Sequence, residues 1–313
     1  MMQRIAGESR SERSAAGVWS VRLGALGALL ALGVTDARAQ SREDGAPAEV
    51  LGVADAVRAS VWGPAALHVN PAGLLRVPAV LFEARYAYLE GKDGHAFGVS
   101  GIDAKTSELV ALGVAYDYIT GTPGGRDRDG HQFRAALGTG YKSGDVHLYA
   151  GFGGRYLGLT LGADDDESDE RDDVDRWTVD AGLIFDFARI IKIGVVGQNL
   201  IDTKTIEAAR GLGLGLSFVF DTLEIGADMD IDLSDRFEDN IKSYAFGVDY
   251  GFAETFRIRA GFLVDQVRDE ERVTAGLGYS TSALAIDVGY STALADPTDM
   301  VIAVSLRFLP SIP

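Results

Sequence analysis

The chain has no cysteine, four histidines and eight prolines in 313 residues. Without cysteine there is neither a disulfide staple nor a thiolate metal site. The histidines, His68, His95, His131 and His147, form no i, i+4 pair of the kind that holds a metal on a helix, and none stands beside a nucleophile motif. The sequence therefore points to no enzyme and calls for no cofactor. Positive charge is also scarce, with 29 Lys and Arg against 46 Asp and Glu and a formal charge of −17. That balance excludes a basic nucleic-acid-binding face. Long apolar runs are missing too. The longest, residues 23–34, spans 12 residues, well short of the ~20 that a membrane-crossing helix needs.

That run reads as the core of a signal peptide over residues 1–39. Arg4, Arg10, Arg13 and Arg22 form its basic leading region, and Ala37-Arg38-Ala39 is a small-x-small cleavage site. Cleavage after Ala39 starts the mature chain at Gln40 and removes five arginines and three acids, so the remainder is more acidic still. An exported chain with no further spanning helix enters a membrane only as a closed barrel, which leaves no backbone unpaired in lipid.

Two features are abundant: glycine, at 39 residues, and period-two alternation. From residue 79 onward fourteen segments alternate, at about 79–90, 94–102, 107–119, 131–141, 145–160, 174–186, 189–198, 211–221, 223–232, 241–251, 255–265, 271–280, 283–291 and 298–309. An even number suits a single-chain barrel. The phase carries the reading. Leu212, Leu214, Leu216, Phe218 and Phe220 share one face, opposed by Gly211, Gly213, Gly215 and Ser217. Leu223, Ile225, Ala227, Met229 and Ile231 oppose Glu224, Gly226, Asp228, Asp230 and Asp232. The polar face of a soluble sandwich usually carries Lys, Thr and Glu. Repeated glycine with a few charges fits instead a narrow lumen with something packed against its wall.

Aromatic residues gather at the strand ends, with Tyr88, Tyr118, Trp177 and Tyr290 at one side and Tyr141, Tyr250, Phe256, Tyr279 and Phe308 at the other. Two such belts match the two membrane–water interfaces. Tight connections alternate with longer ones, as short periplasmic turns and longer outer loops require. The expected fold is all-β: a transmembrane antiparallel barrel of about 14 strands over 79–309, with a tail at 310–313, in the outer membrane of a Gram-negative cell.

Residues 40–78 precede the barrel. The stretch 48–60 suggests a short amphipathic helix, followed by a turn-rich run ending in Asn70-Pro71-Ala72-Gly73-Leu74. Fourteen strands enclose more room than their own side chains fill, so this apolar segment is expected to plug the lumen as a hatch. The Asn70–Leu74 motif, placed after a short helix and before the first strand, resembles the FadL-type superfamily of fatty-acid transporters, aromatic-hydrocarbon channels and PorV-like barrels. The resemblance implies passive uptake of small hydrophobic compounds, fatty-acid-like or hydrocarbon, with Asn70, Pro71 and Ala72 as the hatch hinge and sideways exit through a wall gap. Its other branch implies a non-transporting barrel that docks secreted or envelope proteins. The chain departs from the fatty-acid transporters in its shorter length and modest outer loops, and five residues follow Phe308 where a terminal aromatic is typical. The candidate gap is Gly151–Gly158, where the alternation slips and Gly153-Gly154 suggests a bulge.

The inward phase carries Glu83, Arg85, Asp228, Asp230, Asp249, Arg257 and Arg259, with Arg134, Asp180 and Lys192 elsewhere. Mixed signs on neighbouring strands suggest a bracing network rather than an ion-selective constriction. The run Asp164, Asp165, Asp166 and Glu167 is a weak metal candidate without EF-hand spacing. It reads as a solvated outer loop, meeting lipopolysaccharide through divalent ions at the edge of the membrane lipids.

Overall fold

The computed structural model of the chain describes residues 45–310 apart from 91–92, 123–126, 163–172, 235–241, 254 and 267. The expected signal peptide, the Asp164–Glu167 run and the end of the tail lie outside the described residues. Fourteen strands are described: β1 (Val80–Leu89), β2 (Gly94–Asp103), β3 (Val110–Gly121), β4 (Arg128–Ser143), β5 (Val146–Leu161), β6 (Val174–Phe187), β7 (Ile191–Gln198), β8 (Gly211–Phe220), β9 (Leu223–Asp232), β10 (Lys242–Phe252), β11 (Phe256–Asp265), β12 (Glu270–Ser280), β13 (Leu284–Ala293) and β14 (Met300–Phe308). Each pairs antiparallel with its neighbours in sequence, and β1 pairs with β14 to close the barrel. The bounds fall within three residues of those expected.

The alternation places apolar residues outside. Phe97, Val99, Leu112, Leu137 and Leu277 are each at least 50% exposed, a surface that only a lipid environment covers without cost. Glu83, Arg85, Asp228, Asp230 and Arg259 are buried inside. His95 and His131 lie on the outer surface, where their Nδ1 atoms meet the Tyr86 and Tyr116 hydroxyls at 2.8 and 2.5 Å.

The apolar core is built on the segment before β1. Val61, Leu67, Leu74 and Ala72 of that segment pack with Leu81, Ile102, Tyr149 and Ile184 of the wall. The segment contains α1 (Ala48–Leu51), a 3₁₀ turn Gly63–Ala65, α2 (Ala66–Val69) and a 3₁₀ turn Pro71–Leu75.

Two expectations are corrected. The helix over 48–60 stops at Leu51. Ala54 and Asp55 adopt left-handed φ of 54° and 65°, and the Asp55 N–H returns to the Val50 carbonyl at 3.1 Å, a helix-ending bond of the Schellman kind. A 13-residue helix is a rod of ~20 Å, whereas this segment follows the curved inner wall. The second correction concerns β5. Its ladders with β4 and β6 run without a break, and Gly153 pairs with Ala136 and Asp180 while Gly154 pairs with Ala135 and Val179. There is no bulge or gap at Gly151–Gly158. The alternation slips in the sequence because glycines stand on both faces, and a residue without a side chain declares neither. The ladder between β6 and β7 covers only half of β6: the two pair from Ala181 onward, and above that point the Leu200 N–H bonds the Val179 carbonyl at 2.9 Å.

Candidate functional site

The inward glycines explain how the segment fits. It travels round the inner wall from β13 to β3, and along most of that course its backbone lies where a wall side chain would otherwise stand. A Cβ on Gly247 would sit 2.6 Å from the Val53 carbonyl oxygen, and one on Gly138 would sit 2.9 Å from Leu74 Cβ. Cβ atoms on Gly226, Gly194, Gly151 and Gly289 would collide with the backbone of Ala56, Arg58, Pro71 and Ala48. The glycines lie opposite one another in register, as in Gly247 with Gly226 and Gly261, and Gly151 with Gly138 and Gly182. They form a shallow track at one level of the barrel, and this close approach is what glycine permits there.

Polar bonds fasten the segment along that track. Arg58 reaches Asp228 at 3.0 Å and Asp230 at 2.7 Å, and its own N–H donates to Asp228 at 2.9 Å. All three side chains are buried, so out of water the Arg58 guanidinium offsets the charge of both carboxylates. The Ala48 N–H donates to Ser305 Oγ at 2.9 Å, and Thr274 Oγ1 donates to the Gly52 carbonyl at 3.1 Å.

Asn70 is fully buried and tied three ways. Its Oδ1 accepts from the Ala72 N–H at 3.1 Å, capping the 3₁₀ turn, and its Nδ2 donates to the Arg58 carbonyl at 3.0 Å and the Leu183 carbonyl at 3.4 Å. Pro71 follows at the first position of the turn, and Asn70 is extended with φ −158° and ψ 108°, the region that a following proline imposes. Ala72, Gly73 and Leu74 are buried, and a Cβ on Gly73 would meet the Val61 backbone.

The inward charges divide into groups. Arg58 with Asp228 and Asp230 is one. In another, Arg307 bonds Glu49 of α1 at 2.5 Å, Glu83 at 3.3 Å and Asp287 at 3.1 Å. Arg259 joins Asp287 at 2.6 Å and Asp249 at 3.0 Å, and Arg257 joins Asp249 at 2.8 Å. Arg85 bridges Glu83 and Asp117. Burial pushes the Glu49 carboxyl up to about 7; Arg307 opposes the shift, and Glu83 and Asp287 add to it. His68, in α2, is driven well below the usual imidazole range by burial and by Arg85, Arg134 and Arg155. The charges expected in the lumen face inward, but Arg58, Glu49, Asp287 and Arg307 were not singled out from the sequence. The available signal was a lone arginine, Arg58, in the apolar run AVRAS, and the inward phase of Arg307. Among the described residues no three His, Asp or Glu side chains gather as a metal site.

Beside the segment a cavity of about 310 Å³ remains. One side is apolar, with Val50, Val53, Val57, Val61 and Trp62; the other is the charged wall of Asp249, Arg257, Arg259, Asp287 and Arg307. Ser280, Thr281 and Leu309 place it near the rim that carries the short turn between β12 and β13.

No protein-family model and no curated protein matches the chain. Solved structures do. The crystal structure of the Pseudomonas putida toluene transporter TodX is 14% identical, covers 87% of this chain and 99% of its own, and superposes with a TM-score of 0.59. A TodX deltaS2 mutant, described as a monoaromatic hydrocarbon channel, is also 14% identical, with 87% and 100% coverage and a TM-score of 0.57. This chain shares the barrel fold of these structures. At that identity the likeness is one of fold alone, and the residues that fasten the segment belong to this chain's own geometry.

Proposed function

We propose that the barrel is a passive route for small hydrophobic compounds across the outer membrane, with residues 40–78 as its hatch. The observation that carries this is a lumen closed by a discrete segment that is seated on glycines and leaves a cavity beside it, in a barrel with the fold of a toluene transporter. A packed wall-to-wall core would leave no path. Here the obstruction is one short stretch held by a few bolts, so freeing it opens the lumen. Asn70, Pro71 and Ala72 form the hinge: Asn70 ties the Arg58 part of the hatch, the Pro71 turn and β6 together. The ion pairs of Glu83, Arg85, Asp228, Asp230, Asp249, Arg257 and Arg259 brace the wall and hold the hatch. The membrane-facing partners are outer-membrane lipids and lipopolysaccharide, and the ligand is fatty-acid-like or a hydrocarbon.

The test is uptake of labelled toluene and octanoate by Gram-negative cells expressing the chain, an Asn70→Ala, Pro71→Ala variant, or an unrelated barrel. Faster uptake than the unrelated barrel, altered in the variant, supports the reading. Uptake no faster than that barrel, from a folded protein, defeats it and leaves the protein-docking role.

A further inference from the structure

The inward face of β4 and β5 holds more hydrogen-bond donors than acceptors. Arg134 and Arg155 stand directly opposite each other on the two strands, and like charges so placed repel. Each gives its Nη2 to the same neutral oxygen, Gln132 Oε1, at 3.1 and 2.8 Å, which holds the two guanidiniums side by side. Arg155 also reaches Asn199 Oδ1 at 3.4 Å. The carboxylates nearby are engaged, Asp117 by Arg85 and Asp180 by the Asn199 N–H at 2.7 Å. Elsewhere in the lumen Arg58, Arg85, Arg259 and Arg307 each pair with a carboxylate. Among the described residues no carboxylate pairs with Arg134, whose one hydrogen bond goes to Gln132.

Four shielded nitrogens in this neighbourhood have no hydrogen-bond partner among the described residues: Arg85 Nε, Arg134 Nε, Gln132 Nε2 and His68 Nε2. Gln132 is 1% exposed. Its oxygen faces the two guanidiniums, so its amide hydrogens point elsewhere. His68 comes from α2 of the hatch and lies close enough to Arg85, Arg134 and Arg155 for their charges to depress its imidazole. Shielded donors in a folded protein find acceptors. A water would serve the donors but would leave the repulsion between Arg134 and Arg155 in place. Arg134 is only half-buried and stands on the inward face of β4, so this spot opens to the lumen.

We infer that a small inorganic oxyanion, phosphate or sulfate, binds here, shared by Arg134, Gln132 and His68, and that it ties α2 of the hatch to β4. A guanidinium fork matches the oxygens of such an ion in geometry and charge. Neutral His68 contributes its Nε2–H. Guanidinium, amide and imidazole groups make the site, so it takes an inorganic ion rather than an apolar compound. Its occupancy is independent of any uptake by the barrel.

The experiment is equilibrium dialysis of radiolabelled inorganic phosphate against the chain in phosphatidylcholine nanodiscs, with empty nanodiscs subtracted. Saturable binding is expected, displaced by sulfate and not by chloride at equal ionic strength. Arg134→Gln weakens it about 10- to 100-fold, the contribution of a hydrogen bond between charged groups. Arg134→Lys keeps the charge without the fork and weakens it less. Lys105→Gln removes an exposed cation between β2 and β3 and leaves binding unchanged. Amide hydrogen exchange reads the tie to the hatch: saturating phosphate slows exchange over residues 63–69 in the parent chain and not in Arg134→Gln. Absence of saturable binding to the folded chain overturns the site. An equal loss in Lys105→Gln overturns it too, since it would mark a general attraction to positive charge. Unchanged exchange under saturating phosphate overturns the tie to α2. Should Arg134→Gln fail to fold, sulfate displacement and hatch exchange in the parent chain decide the matter.

Discussion

Gly226→Ala is the sharpest test of how the hatch is seated. The added methyl would point into the lumen, onto the carbonyl oxygen of Ala56, closer than real Cβ atoms approach. The wall cannot yield, because Gly226 is paired on both sides, with Ser217 of β8 and Gly247 of β10. The hatch must therefore shift. Inserting a methylene-sized group into a packed site costs about 1–3 kcal/mol, which falls on the docked hatch rather than on the barrel. Local opening should become about 5- to 150-fold more frequent. The assay is amide hydrogen exchange resolved over residues 48–60 in lipid nanodiscs. Gly154→Ala is the control: it lies on the same barrel but faces outward, and its Cβ would meet nothing within 4 Å. Faster exchange in the hatch for Gly226→Ala, with strands unaffected and Gly154→Ala silent, is expected. Equal hatch exchange in the parent chain and Gly226→Ala would refute the glycine track.

Arg58→Met should destabilise hatch docking by about 3–5 kcal/mol, because the buried carboxylates Asp228 and Asp230 both lose the guanidinium that pairs with them; adding Asp228→Asn and Asp230→Asn should recover much of that loss in thermal unfolding. Asn70→Ala strips the cap of the 3₁₀ turn and leaves the Arg58 carbonyl unsatisfied. A loss of about 2–4 kcal/mol follows, and proteolysis of the hatch should report it; wild-type resistance would show that Asn70 is no bolt. Glu49 supplies the pH dependence. Its carboxyl is raised when folded, so the folded state binds the extra proton. Its contribution to stability is fully present below the unfolded value of ~4.3 and is lost as pH rises through about 7. Glu49→Gln should flatten the melting temperature between pH 5 and 8, and an unchanged slope would mean that another group titrates there.

Much of this protein was legible in its chain because strand signals are local. Each strand of a barrel has one wet face and one lipid face, so period-two alternation survives without any knowledge of the partner. The outward phase of Leu212–Phe220 and the inward phase of Asp228 and Asp230 could be read from neighbours alone. The segment seated in the lumen was visible as an apolar stretch outside the alternation, and the surplus of inward glycine announced that something would press on the wall.

What the chain alone left undecided depends on contacts across long separations. Ala48 meets Ser305 at a separation of 257 residues, and Arg58 meets Asp228 at 170; no local pattern names such partners. The 48–60 stretch has helical spacing, yet the wall's curvature and the positions of Gly247 and Gly226 bend it after Leu51. The slip at Gly153-Gly154 looked like a bulge because glycine shows no face, and only pairing with Ala135 and Ala136 assigned one. Arg307 looked like one more inward charge of the last strand. Closure of β14 onto β1 set it beside Glu83, and the seated hatch brought Glu49 to it. Alternation, composition and the hatch motif were thus properties of the sequence, whereas the charge partners, the course of the hatch and the cavity beside Arg257 arose when the barrel closed round it.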